Sequence, residues 1–245
     1  MMNFSVNKES APDARQDRGV AATTLPEALA NARLRRIAAG YCDREGGCHG
    51  IEHVDRVLAT AIRIGKAMDG RLDILSPAAI LHDIGRKDES LSRGRLCHAV
   101  RGAELAEKIL RDHGFKTEEV AAICHCIATH RYRDANPPHS LEAKILFDAD
   151  KLDSIGAVGI GRAFLFAGQI GAKLHNLDID IDSTAPYTLE DTAYREFRVK
   201  LCKIRERMLT PLGRQLAEER HRFMKIFFDR LETEINGGVP DVQGS

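Results

Sequence analysis

Apolar residues recur along most of this chain at three- and four-residue steps. From Ile51, the positions Val54, Val57, Leu58, Ala61, Ile62 and Met68 fall on one face of a helix. Ser76-Pro77 reads as an N-cap followed by proline at the first helical position, and Gly85 as the stop of a short helix that ends at His82-Asp83. A further helix is predicted from about His98 to a stop at Gly114, and another from Thr117 to about His130, before Asn136-Pro137-Pro138 breaks the pattern. Helices are expected again over 140–150, 151–174 and 189–236, the last interrupted near Thr210-Pro211. The stretch HNLDIDIDSTAPYT (175–188) reads as a polar loop, although its alternating Leu-Asp-Ile-Asp could pass for a short strand. No repeat of 20–50 residues is visible. The pattern therefore predicts one all-α domain over 26–236, a flexible N-terminal arm over 1–25 and a disordered tail over 237–245.

Composition narrows the functional classes. The chain has 245 residues, and its 43% hydrophobic content is enough for a substantial core. Its 36 cations balance 36 anions, so no global field draws it to nucleic acid or anionic lipid, and recognition must be local. Residues 1–25 lack the apolar core of a signal peptide, and no stretch approaches the ~20 apolar residues of a membrane span, so a soluble, cytoplasmic protein is expected. The six cysteines form no C-x-x-C pair, which suggests neither a disulfide framework nor a structural zinc site.

Candidate chemistry lies at the ends of apolar stretches. His49 and His53 are four residues apart on one helical face, and His82-Asp83 ends the run AAIL. Apolar Ile145–Phe147 leads directly into Asp148, Asp150 and Asp153, with Lys151 as the local counter-charge. Carboxylates in such a place need cations or a metal. Solvent exposure remains the simpler reading for Asp148 and Asp153, whereas Asp150 is favoured as a ligand, because imidazole with carboxylate suits a divalent transition metal.

These residues resemble the HD-domain superfamily of metal-dependent phosphohydrolases, whose pattern of a His, a His-Asp doublet and a distant Asp falls on His53, His82-Asp83 and Asp150. The motifs AAILHDIGRK, THRYR, DADKLDSIGAVGIGR and RMLTPLGRQLAEERHRFM are similar to a small bacterial and archaeal subgroup of uncharacterised HD hydrolases, over residues 35–235. The resemblance implies an all-helical, single-domain HD-type bundle that binds one or two divalent ions (Mn, Fe, Co, Ni, Zn or Mg) through His53, His82, Asp83 and Asp150. His98 and His130 resemble second-metal ligands of dinuclear members, although the Gly-Tyr-Pro signature of one such branch is missing; the alternative is that both contact substrate phosphate. His49 resembles an additional ligand of some dinuclear relatives. The implied reaction is hydrolysis of a phosphomonoester or nucleotide by a metal-activated water, with Asp83, Lys151, His98 and His130 as catalytic candidates and Asp83, Asp153 or His49 as the base. Arg56, Arg131, Arg133 and Lys151 are candidates for substrate phosphate. A small phosphorylated substrate is expected rather than a nucleic-acid polymer, and the C-terminal helices are long enough to bury a homodimer face. Two other readings remain open at this point: an HD-fold oxygenase with two irons, and a nucleotide sensor without catalysis.

Overall fold

The computed structural model describes residues 25–42, 50–132 and 136–238, so His49, Arg133, nearly all of the N-terminal arm and most of the tail lie outside the described residues. Among the described residues ten α-helices follow one another: α1 (Leu25–Ala39), α2 (Ile51–Ala67), α3 (Leu72–Leu81), α4 (Arg86–Leu91), α5 (His98–Asp112), α6 (Thr117–Thr129), α7 (Leu141–Asp153), α8 (Gly156–Gln169), α9 (Ala193–Val199) and α10 (Pro211–Ile235). Two 3₁₀ turns, Ile181–Ser183 and Leu201–Arg207, complete the described elements, and no strand occurs among them. The expected all-α class holds, and the Leu-Asp-Ile-Asp alternation forms a loop ending in a 3₁₀ turn. No described helix is long and apolar enough to cross a membrane.

The centre of the bundle is α3, which is buried from Ile74 through Leu81 and packs on α1, α2, α6 and α7. It departs from the expected start at Ser76-Pro77: the helix begins at Leu72 and carries Pro77 inside it. An internal proline costs ~3 kcal/mol. Burying Ile74 and Leu75, each stabilising by ~1.5–3 kcal/mol, outweighs that cost and extends the helix upstream. Gly85 serves a different purpose from the one expected of it. Its backbone is right-handed, but a Cβ there would lie 2.2 Å from the His98 carbonyl oxygen and 2.6 Å from Gly102 N. Glycine thus lets the start of α5 press against the turn after α3, which brings His98 to the His82-Asp83 doublet.

The break expected after residue 150 falls at Ser154-Ile155 instead, so Asp148, Asp150, Lys151 and Asp153 share α7. Solvent exposure, the simpler reading for Asp148 and Asp153, is also corrected, because both are buried. Asp148 accepts hydrogen bonds from the backbone N–H of Leu209 (2.8 Å) and Thr210 (2.8 Å) and from the Thr210 hydroxyl (2.6 Å). It thereby ties α7 to the start of α10, where Thr210 in turn caps the helix through Gly213 N. Asp148 after an apolar run looked expensive because its partners, about sixty residues away, are not visible in the local sequence.

Candidate functional site

Five helix ends meet at one end of the bundle. His53 stands in the first turn of α2 and His98 opens α5, while His82 and His130 are the residues just past α3 and α6, and Asp150 lies in the last turn of α7. Each C-terminal end contributes partial negative charge. The terminal carbonyls of α3 and α6 are used in the same way: His82 Nδ1 donates to Ala79 O (2.8 Å) and His130 Nδ1 donates to Ile127 O (2.7 Å). His53 Nδ1 faces Asp153 Oδ2 at 2.7 Å and His98 Nδ1 faces Glu89 Oε2 at 2.7 Å. All four imidazoles therefore have an acceptor at Nδ1, which assigns a proton there and turns Nε2 inward.

The inward atoms converge on Asp83. His53 Nε2 and His82 Nε2 are 3.2 Å apart and each is 3.5 Å from Asp83 Oδ2. Asp150 Oδ1 lies 3.5 Å from His53 Nε2 and 4.0 Å from His82 Nε2. On the other side of the same carboxylate, His98 Nε2 and His130 Nε2 are 3.2 Å apart and lie 3.6 and 3.5 Å from Asp83 Oδ1. Two groups of donor atoms, His53-His82-Asp83 and Asp83-His98-His130, are thus close enough to hold a metal ion each, with Asp150 beside the first. Neutral imidazoles that donate from Nδ1 present lone pairs to one another at Nε2, and an arrangement of facing lone pairs and carboxylates calls for a cation. The donor set fits divalent metal in this respect.

The electrostatics agree. Burial disfavours charge on His53, but the acceptors Asp150, Asp153 and Asp83 outweigh it and raise the imidazole to about 10. A proton on His53 answers the same demand for positive charge that a metal ion would. Burial pushes His82 down to about 4, with His130 and His53 adding to the effect, and burial with Arg86 and His130 pushes His98 down to about 3. Asp150 is held well below the usual carboxylate range: burial acts the other way, but Lys151, His53 and His82 prevail.

Beside these residues opens a cleft of about 610 Å³. Arg86 from the first turn of α4, Arg131 from just past α6 and Lys151 from α7 line it, together with Arg162 from α8 and Lys200, Lys203 and Arg207 from the 3₁₀ turn and its edge, against only Glu89 and Asp150 as carboxylates. Lys151 Nζ binds Asp150 Oδ2 at 2.6 Å, and it and Arg207 lie over the Phe147 ring at 5.3 and 5.7 Å. Arg131 pairs with Glu89, the acceptor for His98. Arg56 turns to Asp153 instead, with Nε 2.6 Å from Oδ1 and Nη2 3.0 Å from Oδ2. Asp153, a candidate base, is enclosed by His53 Nδ1, Arg56 and Arg162. His125 stacks on His139 and accepts from its backbone N–H, apart from the cluster.

Sequence reasoning passed over Arg86, which binds Asp83, and the cleft cations that follow residue 156. Arg86 stands inside the motif AAILHDIGRK, and Lys200, Lys203 and Arg207 recur at steps of three and four, which was the signal available.

A helical bundle with its His and Asp residues gathered at one end defines the class, and residues 50–155 match the family model of the HD domain. The chain belongs to the HD-domain superfamily and has the fold of its hydrolases. It is 38% identical over 199 residues to the uncharacterised protein YpgQ of Bacillus subtilis, covering 79% of this chain and 87% of that one. The crystal structure of YpgQ in complex with ADP is similar with a TM-score of 0.66 at 33% identity, over 84% of this chain and 98% of that one. An HD-superfamily hydrolase from Bacillus thuringiensis is similar with a TM-score of 0.67 at 26% identity, over 85% and 98%.

Proposed function

We propose that this protein is a divalent-metal-dependent phosphohydrolase acting on a nucleotide or another phosphomonoester. In this reading His53, His82, Asp83 and Asp150 hold one ion, and Asp83, His98 and His130 hold a second. The observation that carries the reading is the convergence of four inward Nε2 atoms on the two oxygens of Asp83, at the foot of a cleft rich in Arg and Lys. When bound, the ions would supply Lewis-acid polarisation of a phosphoryl oxygen and bring the pKa of a water nucleophile towards neutrality.

The residues around the ligands have separate tasks. Asp153, kept ionised against burial by His53, Arg56 and Arg162, orients His53 from behind, so the role we assign to Arg56 is to hold Asp153 rather than phosphate. Glu89, steadied by Arg131, orients His98 in the same way. Lys151 keeps Asp150 in place and, with Arg162 and Lys203, presents positive charge to the substrate oxygens. The ADP bound by YpgQ supports a nucleotide as the occupant of this cleft.

The test is elemental analysis of chelator-free protein, purified without a nickel column, for wild type and His130→Ala, with phosphate release from a nucleotide panel measured in Mn, Fe, Co, Ni, Zn and Mg. About two ions falling to one, with turnover in the wild type, is the expected result. One ion unaffected by the substitution would move His130 to the phosphate pocket. No metal and no turnover in any ion would overturn the reading.

A further inference from the structure

The cleft does not end at its cations. A second cavity of about 510 Å³ adjoins it and shares four wall residues with it, Ser154, Arg162, Tyr187 and Lys200. Beyond those four its character changes: Gly159, Ala163, Phe166, Pro186 and Leu201 line it with two carboxylates, Asp191 and Glu196, in place of the row of cations. Phe166 and Tyr187 meet edge to face, with ring centroids 5.8 Å apart and planes at 79°.

Tyr187 is held there by construction. It is 77% exposed, yet its backbone is left-handed (φ 60°), a conformation that a bulky side chain rarely adopts. Asp191 fixes that turn by accepting the Tyr187 N–H at 2.7 Å through Oδ2, while its Oδ1 binds Arg195 at 2.8 Å. Arg195 in turn donates to the Thr184 hydroxyl (2.6 Å), and the far side of the strap is pinned where Asn176 Nδ2 donates to Glu190 O (2.9 Å). A strap fastened on both sides of Tyr187 presents a large aromatic ring to solvent at the junction of two cavities. The edge contact with Phe166 leaves most of that ring open, and a ligand ring would cover it.

We infer that the second cavity is a subsite for the planar aromatic base of a nucleotide, walled by Phe166 and Tyr187, with the phosphates directed along the shared wall towards the histidine cluster. The inference rests on the phosphohydrolase reading and adds to it the class of substrate: a nucleotide, in preference to a phosphorylated compound without an aromatic ring. Aromatic side chains take any base face with little dependence on its hydrogen-bonding edge, so binding should be tolerant of base identity.

The experiment is calorimetric binding to the metal-loaded protein of two non-hydrolysable probes, α,β-methylene-ADP and its base-free counterpart methylenediphosphonate. Tyr187→Ala and Phe166→Ala should each weaken the nucleotide probe about tenfold and leave methylenediphosphonate within about twofold, and Tyr187→Phe should retain wild-type binding. Equal losses on both probes, or none on either, would overturn the subsite. Wild-type binding of the nucleotide no tighter than that of methylenediphosphonate would also overturn it and leave the phosphohydrolase reading standing. Failure of the wild type to bind either probe, together with absent phosphate release, would remove both.

Discussion

Residues 50–155 and residues 156–238 both line one cleft, by different means. The first region supplies every described His and Asp of the cluster from the ends of packed helices, and His53, His82, Asp83, His98, His130 and Asp150 are all buried. The second supplies Lys200, Lys203 and Arg207 from exposed positions on a 3₁₀ turn and its edge, and Tyr187 from a strap. Buried donors with a fixed partner at each Nδ1 can be held to a few tenths of an ångström, as reaction chemistry requires. Exposed side chains on irregular backbone can change without disturbing the core, as substrate choice requires. The contrast assigns reaction class to the first wall and substrate class to the second.

The largest test of that division is Asp83→Ala. Because Asp83 stands between both pairs of histidines, the variant should lose all bound metal and at least about a thousandfold in activity together. Full metal content in the folded variant, read by elemental analysis, would count strongly against the proposed centre. Next in size is Asp148→Ala, which removes the acceptor of Leu209 N, Thr210 N and the Thr210 hydroxyl. Leaving these groups without their partner should cost about 2–4 kcal/mol, measurable as a lower urea midpoint. Metal per folded chain should stay constant, since every proposed ligand lies before residue 156. Parallel loss of metal would show that the two regions do not divide their tasks as drawn.

How much of this was legible in the sequence follows the same contrast. Helices α2, α5 and α6 announced themselves by period and stop residues, and the positions of the His and Asp residues at the ends of apolar stretches pointed to one cluster. Local signals failed where a distant partner decides. Ser76-Pro77 looked like a helix start because the burial that carries α3 through a proline depends on α1, α2, α6 and α7. Asp148 and Asp153 looked exposed because their partners are Thr210, more than sixty residues on, and His53, a hundred residues back. Tyr187 sat unnoticed in a polar loop, since nothing in the local pattern encodes a left-handed residue fastened by Asp191.

Asp153→Asn should have an intermediate effect. It keeps the size of the side chain but weakens its acceptor towards His53 Nδ1, and losses of this kind lower metal affinity by about 10–100-fold. A competition titration with a chelator would measure it; unchanged affinity would reduce Asp153 to an anchor for Arg56 and Arg162.

The smallest effect is expected at the outer wall. Lys203 is exposed on the 3₁₀ turn and lines the cleft beside Arg207, far from the packed ends that carry the histidines in sequence and in kind. A cation in such a place attracts a polyanion through solvent, where the interaction is screened and worth little. Lys203→Ala should therefore raise KM for a nucleotide by about two- to fivefold at low salt and leave kcat nearly unchanged, and the difference should fade as ionic strength rises. A comparable fall in kcat that persisted in high salt would place Lys203 at the reacting phosphate, and the second wall would then share in the chemistry as well as in the choice of substrate.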